Sequence, residues 1–105
     1  MRTIRRMIVI NGRLTIDPAR RADFVAACVT MQQASRAEEP CLHYVFTADL
    51  EHDDVFHIAE KWASDEGLKT HFGLAHMAAF QKAIAGVVKG IDVTKYEIAS
   101  EGPVR

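Results

Sequence analysis

Asn11, Glu60, Trp62, His71 and His76 are the residues whose types and spacing chemistry can use. The two histidines flank Gly73, at a break in a helical region where a kinked segment can roof a cavity. A neutral imidazole near pH 7 accepts a proton from a phenolic hydroxyl, so either histidine can serve as a general base. The plainer reading of each is a capping or packing histidine. Their spacing is not the i,i+4 of a helical metal pair, and neither an HExxH motif nor a clustered carboxylate accompanies it, so no metal site is expected. Trp62 is the only tryptophan. It offers a flat face for stacking on an aromatic ring and an N–H to orient an oxygen, or else simply anchors a core or interface. Asn11 interrupts an apolar strand, where a buried amide must find hydrogen-bond partners. Gly12 beside it lets the backbone bulge or approach a ligand closely. Glu60 shares the parity of Trp62. Its carboxylate either holds His71 or an arginine in the same cavity or forms an ion pair across a subunit interface, the structural role preferred here. Phe46, Phe56, Phe72, Met77 and Phe80 supply apolar walls for such a cavity, although stripes of this kind are by default ordinary core.

What is missing narrows the chemistry. There is no GxGxxG, no phosphate-cradling loop and no nucleophile elbow, so no dinucleotide, phosphate cradle or acyl-enzyme is signalled and no cofactor is expected. Thirteen Lys+Arg against fourteen Asp+Glu leave a formal charge of −1, which favours neither nucleic acid nor an anionic membrane. The one basic cluster, Arg2, Arg5 and Arg6, belongs to an N-terminal extension, residues 1–6. No stretch approaches the roughly 20 apolar residues of a membrane span, and the N-terminus lacks the apolar region of a signal peptide. The expected location is the cytoplasm. Cys28 and Cys41 lie in unrelated segments and read as reduced core thiols.

The elements that must position these residues follow from periodicity. With 105 residues, 49% of them apolar, the chain makes one domain, residues 7–99, followed by a tail over 100–105. Met7–Ile16 is a strand with Ile8, Ile10, Leu14 and Ile16 on one face and Val9, Asn11, Arg13 and Thr15 on the other. Asp17-Pro18 starts a helix running to about Ala37, with Phe24, Cys28, Met31 and Ser35 as its buried stripe. Cys41–Asp49 and Val55–Ala63 make a hairpin, the first strand turning Leu42, Tyr44, Phe46 and Ala48 one way. Ser64 caps a second helical region that breaks near Gly73. It resumes at about Ala75 and carries Met77, Phe80, Ile84 and Val88 at helical spacing. Ile91–Ala99 is the last strand. The order strand, helix, strand, strand, helix, strand is the split βαβ, or ferredoxin-like, α+β arrangement βαββαβ: a four-stranded antiparallel sheet with helices on one face. Apolar residues fall on both faces, Val9, Val45, Val55 and Val93 against Ile8, Phe46, Ile58 and Ile98. The uncovered face is therefore expected to pack on a second subunit.

Several groups of residues together resemble the antibiotic biosynthesis monooxygenase-like family, the dimeric α+β barrel proteins that include small quinol monooxygenases. They are Asn11-Gly12-Arg13 leading into Asp17-Pro18, Cys41-Leu42-His43-Tyr44 after an acidic Pro turn, and Phe56 followed by Glu60-Lys61-Trp62. The run Ser64-Asp65-Glu66-Gly67-Leu68, His71-Phe72, His76-Met77 and Phe80 completes them. The resemblance covers Met7 to about Ile98, with one departure: Glu39-Pro40 stands where many members have Pro-Gly. It implies a homodimer whose two sheets close face to face as a barrel, with Trp62 lining the substrate cavity and Asn11 binding substrate or steering oxygen. The implied activity is a cofactor-independent monooxygenase acting on a small aromatic quinol or polyketide-type substrate with O2. The catalytic candidates are then His76, His71, Trp62 and Asn11. The same family also implies alternatives: a non-catalytic small-ligand-binding dimer, or an isomerase-like enzyme acting on a small carbonyl metabolite. Haem degradation is a lesser one, because Phe80 and Gln81 stand where an axial histidine is needed.

Overall fold

The computed structural model describes residues 6–105, so the expected N-terminal extension lies outside the described residues except for Arg6. The elements are β1 (Met7–Ile16), a 3-10 turn (Pro18–Arg20), α1 (Arg21–Arg36), β2 (Cys41–Ala48), β3 (Val55–Trp62), α2 (Asp65–Phe72), α3 (Ala75–Ile84) and β4 (Val88–Ile98). The strands form one antiparallel sheet in the order β2-β3-β1-β4. This is the ferredoxin-like α+β fold, its two crossovers carried by α1 and by the α2–α3 pair.

The alternation of β1 places Ile8, Ile10, Leu14 and Ile16 against the helices, where all four are buried. They join the α1 stripe of Phe24, Cys28 and Met31, together with Tyr44, Ile58, Trp62 and Leu68, in a single core. Burying a side chain of this size contributes about 1.5–3 kcal/mol, and the same burial pushes the Cys28 thiol up to about 12. Cys28 and Cys41 are both free thiols.

Four expectations need correction. Asp17 does cap a turn, its Oδ1 accepting from Ala19 N at 3.0 Å, but that turn is 3-10 and α1 begins only at Arg21. In β2 the register shifts between Cys41 and His43, so Leu42 bulges out and is exposed instead of pointing inward with Tyr44. The helix expected to reach Val88 stops at Ile84. Gly86, at φ +78°, reverses the chain, and Val88 already pairs with Ile16. The strand extends through Gly90 and carries Val93 opposite Gly12 and Ile98 opposite Met7, which exchanges the faces expected for these two residues.

Candidate active site

The site grows from the turn that joins α1 to β2. Past the end of α1, the N–H of Glu38 donates to Ser35 O at 3.0 Å, and Cys41 N donates to Glu38 O at 3.1 Å. Pro40 cannot extend the helix, and its carbonyl accepts from Ala63 N at 2.9 Å, tying the turn to the end of β3. Ser64 Oγ then caps α2 by accepting from Gly67 N at 3.1 Å. The turn and α2 touch closely, since a Cβ on Gly67 would lie 2.5 Å from Pro40 Cβ.

The break between α2 and α3 presents the two histidines. Gly73 keeps a right-handed φ of −92°. The interruption is made at Leu74, which is extended (φ −82°, ψ 155°), so the glycine is not demanded by an unusual conformation. His71 closes α2, and His76 lies in the first turn of α3. Both reach the same atom: His71 Nδ1 and His76 Nε2 each lie 2.7 Å from Glu38 Oε2. The side chains are 1% exposed for His71, 9% for Glu38 and 23% for His76. One carboxylate oxygen therefore holds a buried imidazole and a partly open one. Charge-assisted bonds of this length are among the stronger hydrogen bonds in proteins.

Behind His71 the site is dry and aromatic. The Trp62 ring packs on His71 with centroids 4.5 Å apart, and Tyr44 lies 5.8 Å from the same imidazole. Trp62 is fully buried, and its Nε1–H donates to Glu60 Oε1 at 2.9 Å. Glu60 is buried opposite Tyr44. Burial pushes its carboxyl up to about 7, the nearby Glu38 adding to the rise and the Trp62 hydrogen bond opposing it. Burial likewise pushes the Tyr44 phenol above its ordinary range. Glu60 thus makes its bond within the chain, to Trp62, rather than the ion pair across subunits given preference above. It is Glu38, not Glu60, that holds His71.

The open side of His76 faces a cleft of about 380 Å³ between α1 and α3, whose lining includes Thr30, Met31, His76 and Phe80. Phe46 stands behind this wall, its ring 5.5 Å from Phe80, and Met77 is half-buried on the core. The remaining candidates are dispersed. Trp62 presents no surface to the cleft, and Phe56 is core, packed on Phe24 with centroids 4.9 Å apart. Phe72 is 54% exposed and lines a different hollow with Ile10, Leu68 and Val93. Asn11 pairs with Ala59 and Thr94 on the open face of the sheet, with the sheet itself between it and Trp62. Among the described residues, Asn11 and Trp62 share no cavity.

Glu38 escaped the sequence reading because it stands 33 and 38 residues from its two partners, and no periodicity links them. The available signal was Pro40, which ends α1 and fixes Glu38 in a turn. The three residues offer ligand atoms within 4.8 Å of one another, so a cluster with metal-ligand chemistry forms across three segments where none was expected from spacing along one helix.

The family model described as antibiotic biosynthesis monooxygenase matches residues 7–83. The Bacillus subtilis protein named "Putative monooxygenase YcnE" is 30% identical over 74 residues, covering 70% of this chain and 78% of the relative. A Synechocystis protein, named as uncharacterized sll1783, is 29% identical over 93 residues. That match spans 88% of this chain but only 63% of the longer relative. Among solved structures, a "putative antibiotic biosynthesis monooxygenase" from Deinococcus radiodurans superposes with a TM-score of 0.86 at 25% identity, covering 93% of this chain and 98% of that one.

Proposed function

This chain belongs to the antibiotic biosynthesis monooxygenase family, and from that premise we propose that it oxidises a small aromatic quinol or anthrone-like polyketide with O2, using His76 as the base. The observation that carries the reading is the pair of histidines sharing Glu38 Oε2, one sealed against Trp62 and one open to an apolar cleft. Glu38 fixes the orientation of His76 and favours the imidazolium formed when a phenolic proton is taken. Phe80 and Met31 give the aromatic ring apolar walls.

The substrate anion itself reduces dioxygen, so the scheme needs neither flavin nor metal. One electron passes from the anion to O2, and the two radicals combine at carbon. The resulting peroxide then loses water to leave a carbonyl. The substrate gains one oxygen and gives up two hydrogens, and the second oxygen departs as water.

The open sheet face supports a homodimer, since Val9, Val45 and Ala59 lie there with the half-exposed Tyr96. Asn11 then lies at the subunit interface, not in the cleft.

The test is turnover of chelator-treated protein with a panel of hydroquinones and anthrones under isotope-labelled dioxygen. The expected product carries one labelled oxygen atom. Turnover of carbonyl substrates without oxygen uptake would replace the reading with an isomerase, and tight binding without turnover would replace it with a carrier.

A further inference from the structure

The Glu38–His71–His76 cluster carries a capacity that base chemistry does not require. An imidazole N–H aimed at a carboxylate oxygen and an imidazole lone pair aimed at a cation share one direction, because both lie along the same ring bisector. His71 Nδ1 and His76 Nε2 both point at the place where Glu38 Oε2 sits, 2.7 Å away. A zinc–imidazole bond is about 2.0–2.1 Å, so a cation near that place binds both rings once they draw together slightly, the three donor atoms lying within 4.8 Å of one another. Glu38 then draws back by about 2 Å to bind it from the far side. The carboxylate leaves a turn beyond the end of α1, and its side chain has the rotatable bonds for this movement. Each neutral histidine needs only its other tautomer, with the proton moved to the opposite ring nitrogen.

Orientation is already set by packing. His71 is held between Trp62 and Tyr44, with centroids 4.5 and 5.8 Å away, so little side-chain entropy remains to be lost on coordination. Two imidazoles and one carboxylate are a donor set of borderline character, suited to Zn2+ and Co2+. The three ligands come from the α1–β2 turn, α2 and α3, and the side left open is that of His76, toward the α1–α3 cleft.

We propose that Glu38, His71 and His76 form a three-ligand site for a divalent transition-metal ion of the zinc class, with its free coordination position facing the cleft. The cation takes His76 Nε2 and leaves the proton on the other ring nitrogen, the one free to accept from a substrate, so metal binding and base catalysis exclude one another. Zinc is therefore an inhibitor of the oxidation proposed above. The site itself does not depend on that oxidation taking place.

The test is titration of the chelator-treated full chain with Co2+, followed by the visible d–d bands of the bound ion, and with Zn2+ by calorimetry, both without substrate. The expected result is one ion per chain with the intense bands of a four-coordinate site. Affinity should fall in Glu38→Ala and His76→Ala by more than the roughly 10–100-fold that loss of an outer-shell partner costs. His76 is partly exposed, so its variant folds even if one at His71 does not. His52→Ala, in the exposed hairpin turn, should bind as the wild type does. Binding that survives both Glu38→Ala and His76→Ala, or is lost in His57→Ala at the Asp49 pair, would overturn the assignment. So would the absence of the visible bands.

Discussion

Glu38 decides what the two histidines can do. A lone half-exposed imidazole on a helix exchanges its hydrogen bonds with water, whereas His76 is held at 2.7 Å by a carboxylate that is itself fixed by His71. Removing the charge while keeping the shape separates orientation from electrostatics. Glu38→Gln is expected to lower kcat by about 10–100-fold with KM nearly unchanged, because the transition state alone develops the imidazolium. The substitution should cost about 1–3 kcal/mol of stability, read from a denaturant midpoint, because the charge-assisted bonds to His71 and His76 become neutral ones.

Glu60 supplies a prediction of opposite sign. Its carboxyl titrates near 7 in the folded chain, above its ordinary value of 4.5. Below pH 4.5 both folded and unfolded chains hold the proton. Between about 4.5 and 7 only the folded chain keeps it, so stability falls as pH rises through this window and is level above it. A rise of this size corresponds to about 3 kcal/mol. Glu60→Gln retains the acceptor for Trp62 Nε1–H, and its stability should stay flat across the window. Thermal unfolding at pH 5 and pH 8 decides it: equal slopes for the two proteins would remove Glu60 from the account.

At the scale of elements, the site depends on contact between the α1–β2 turn and the start of α2. Gly67 permits that contact, and the atom it approaches belongs to the rigid Pro40 ring, which cannot rotate aside. Gly67→Ala is expected to cost about 1–3 kcal/mol through overpacking. It should also push Glu38 off the histidines, so activity falls further than stability alone explains at a temperature where the variant is fully folded. Unchanged activity in a folded Gly67→Ala protein would show that the turn does not position Glu38. The strands were legible because β1 alternates cleanly and Pro40 ends the first helical run, and the break between α2 and α3 was legible near Gly73 although Leu74 makes it. The start of β4 was not, because Val88 stands four residues beyond Ile84 and reads equally as one more helical turn. Only the positive φ of Gly86 and the pairing of Val88 with Ile16 settle it, and both are tertiary facts. The exposure of Leu42 is of the same kind, since a bulge is a property of two strands together.

At the scale of the whole molecule, half of the sheet's surface is left without helices. Val9 and Tyr96 are cross-strand neighbours there, and Tyr96 is 51% exposed. Val9→Asp places a charge in the middle of that face without touching the helix-side core. The expected outcome is a folded monomer for Val9→Asp and a dimer for the wild type, read by light scattering on a sizing column. A wild-type monomer would contradict the barrel arrangement. Of the site, the histidines and the buried tryptophan were legible from residue type. Glu38 and the seclusion of Trp62 were not, because both arise where distant segments meet. Asn11 was legible as a polar residue in an apolar strand, but its face became a site question only once the helices were seen on the other side.

The most direct test of the central claim is oxygen uptake by His76→Ala against the wild type on a hydroquinone or anthrone that the wild type turns over. His76 is the open member of the pair, so the substitution should lower kcat by about 100-fold or more. The unfolding midpoint should move by less than about 1 kcal/mol equivalent, as expected for a partly exposed side chain. A His76→Ala protein that consumes oxygen at the wild-type rate would contradict the account.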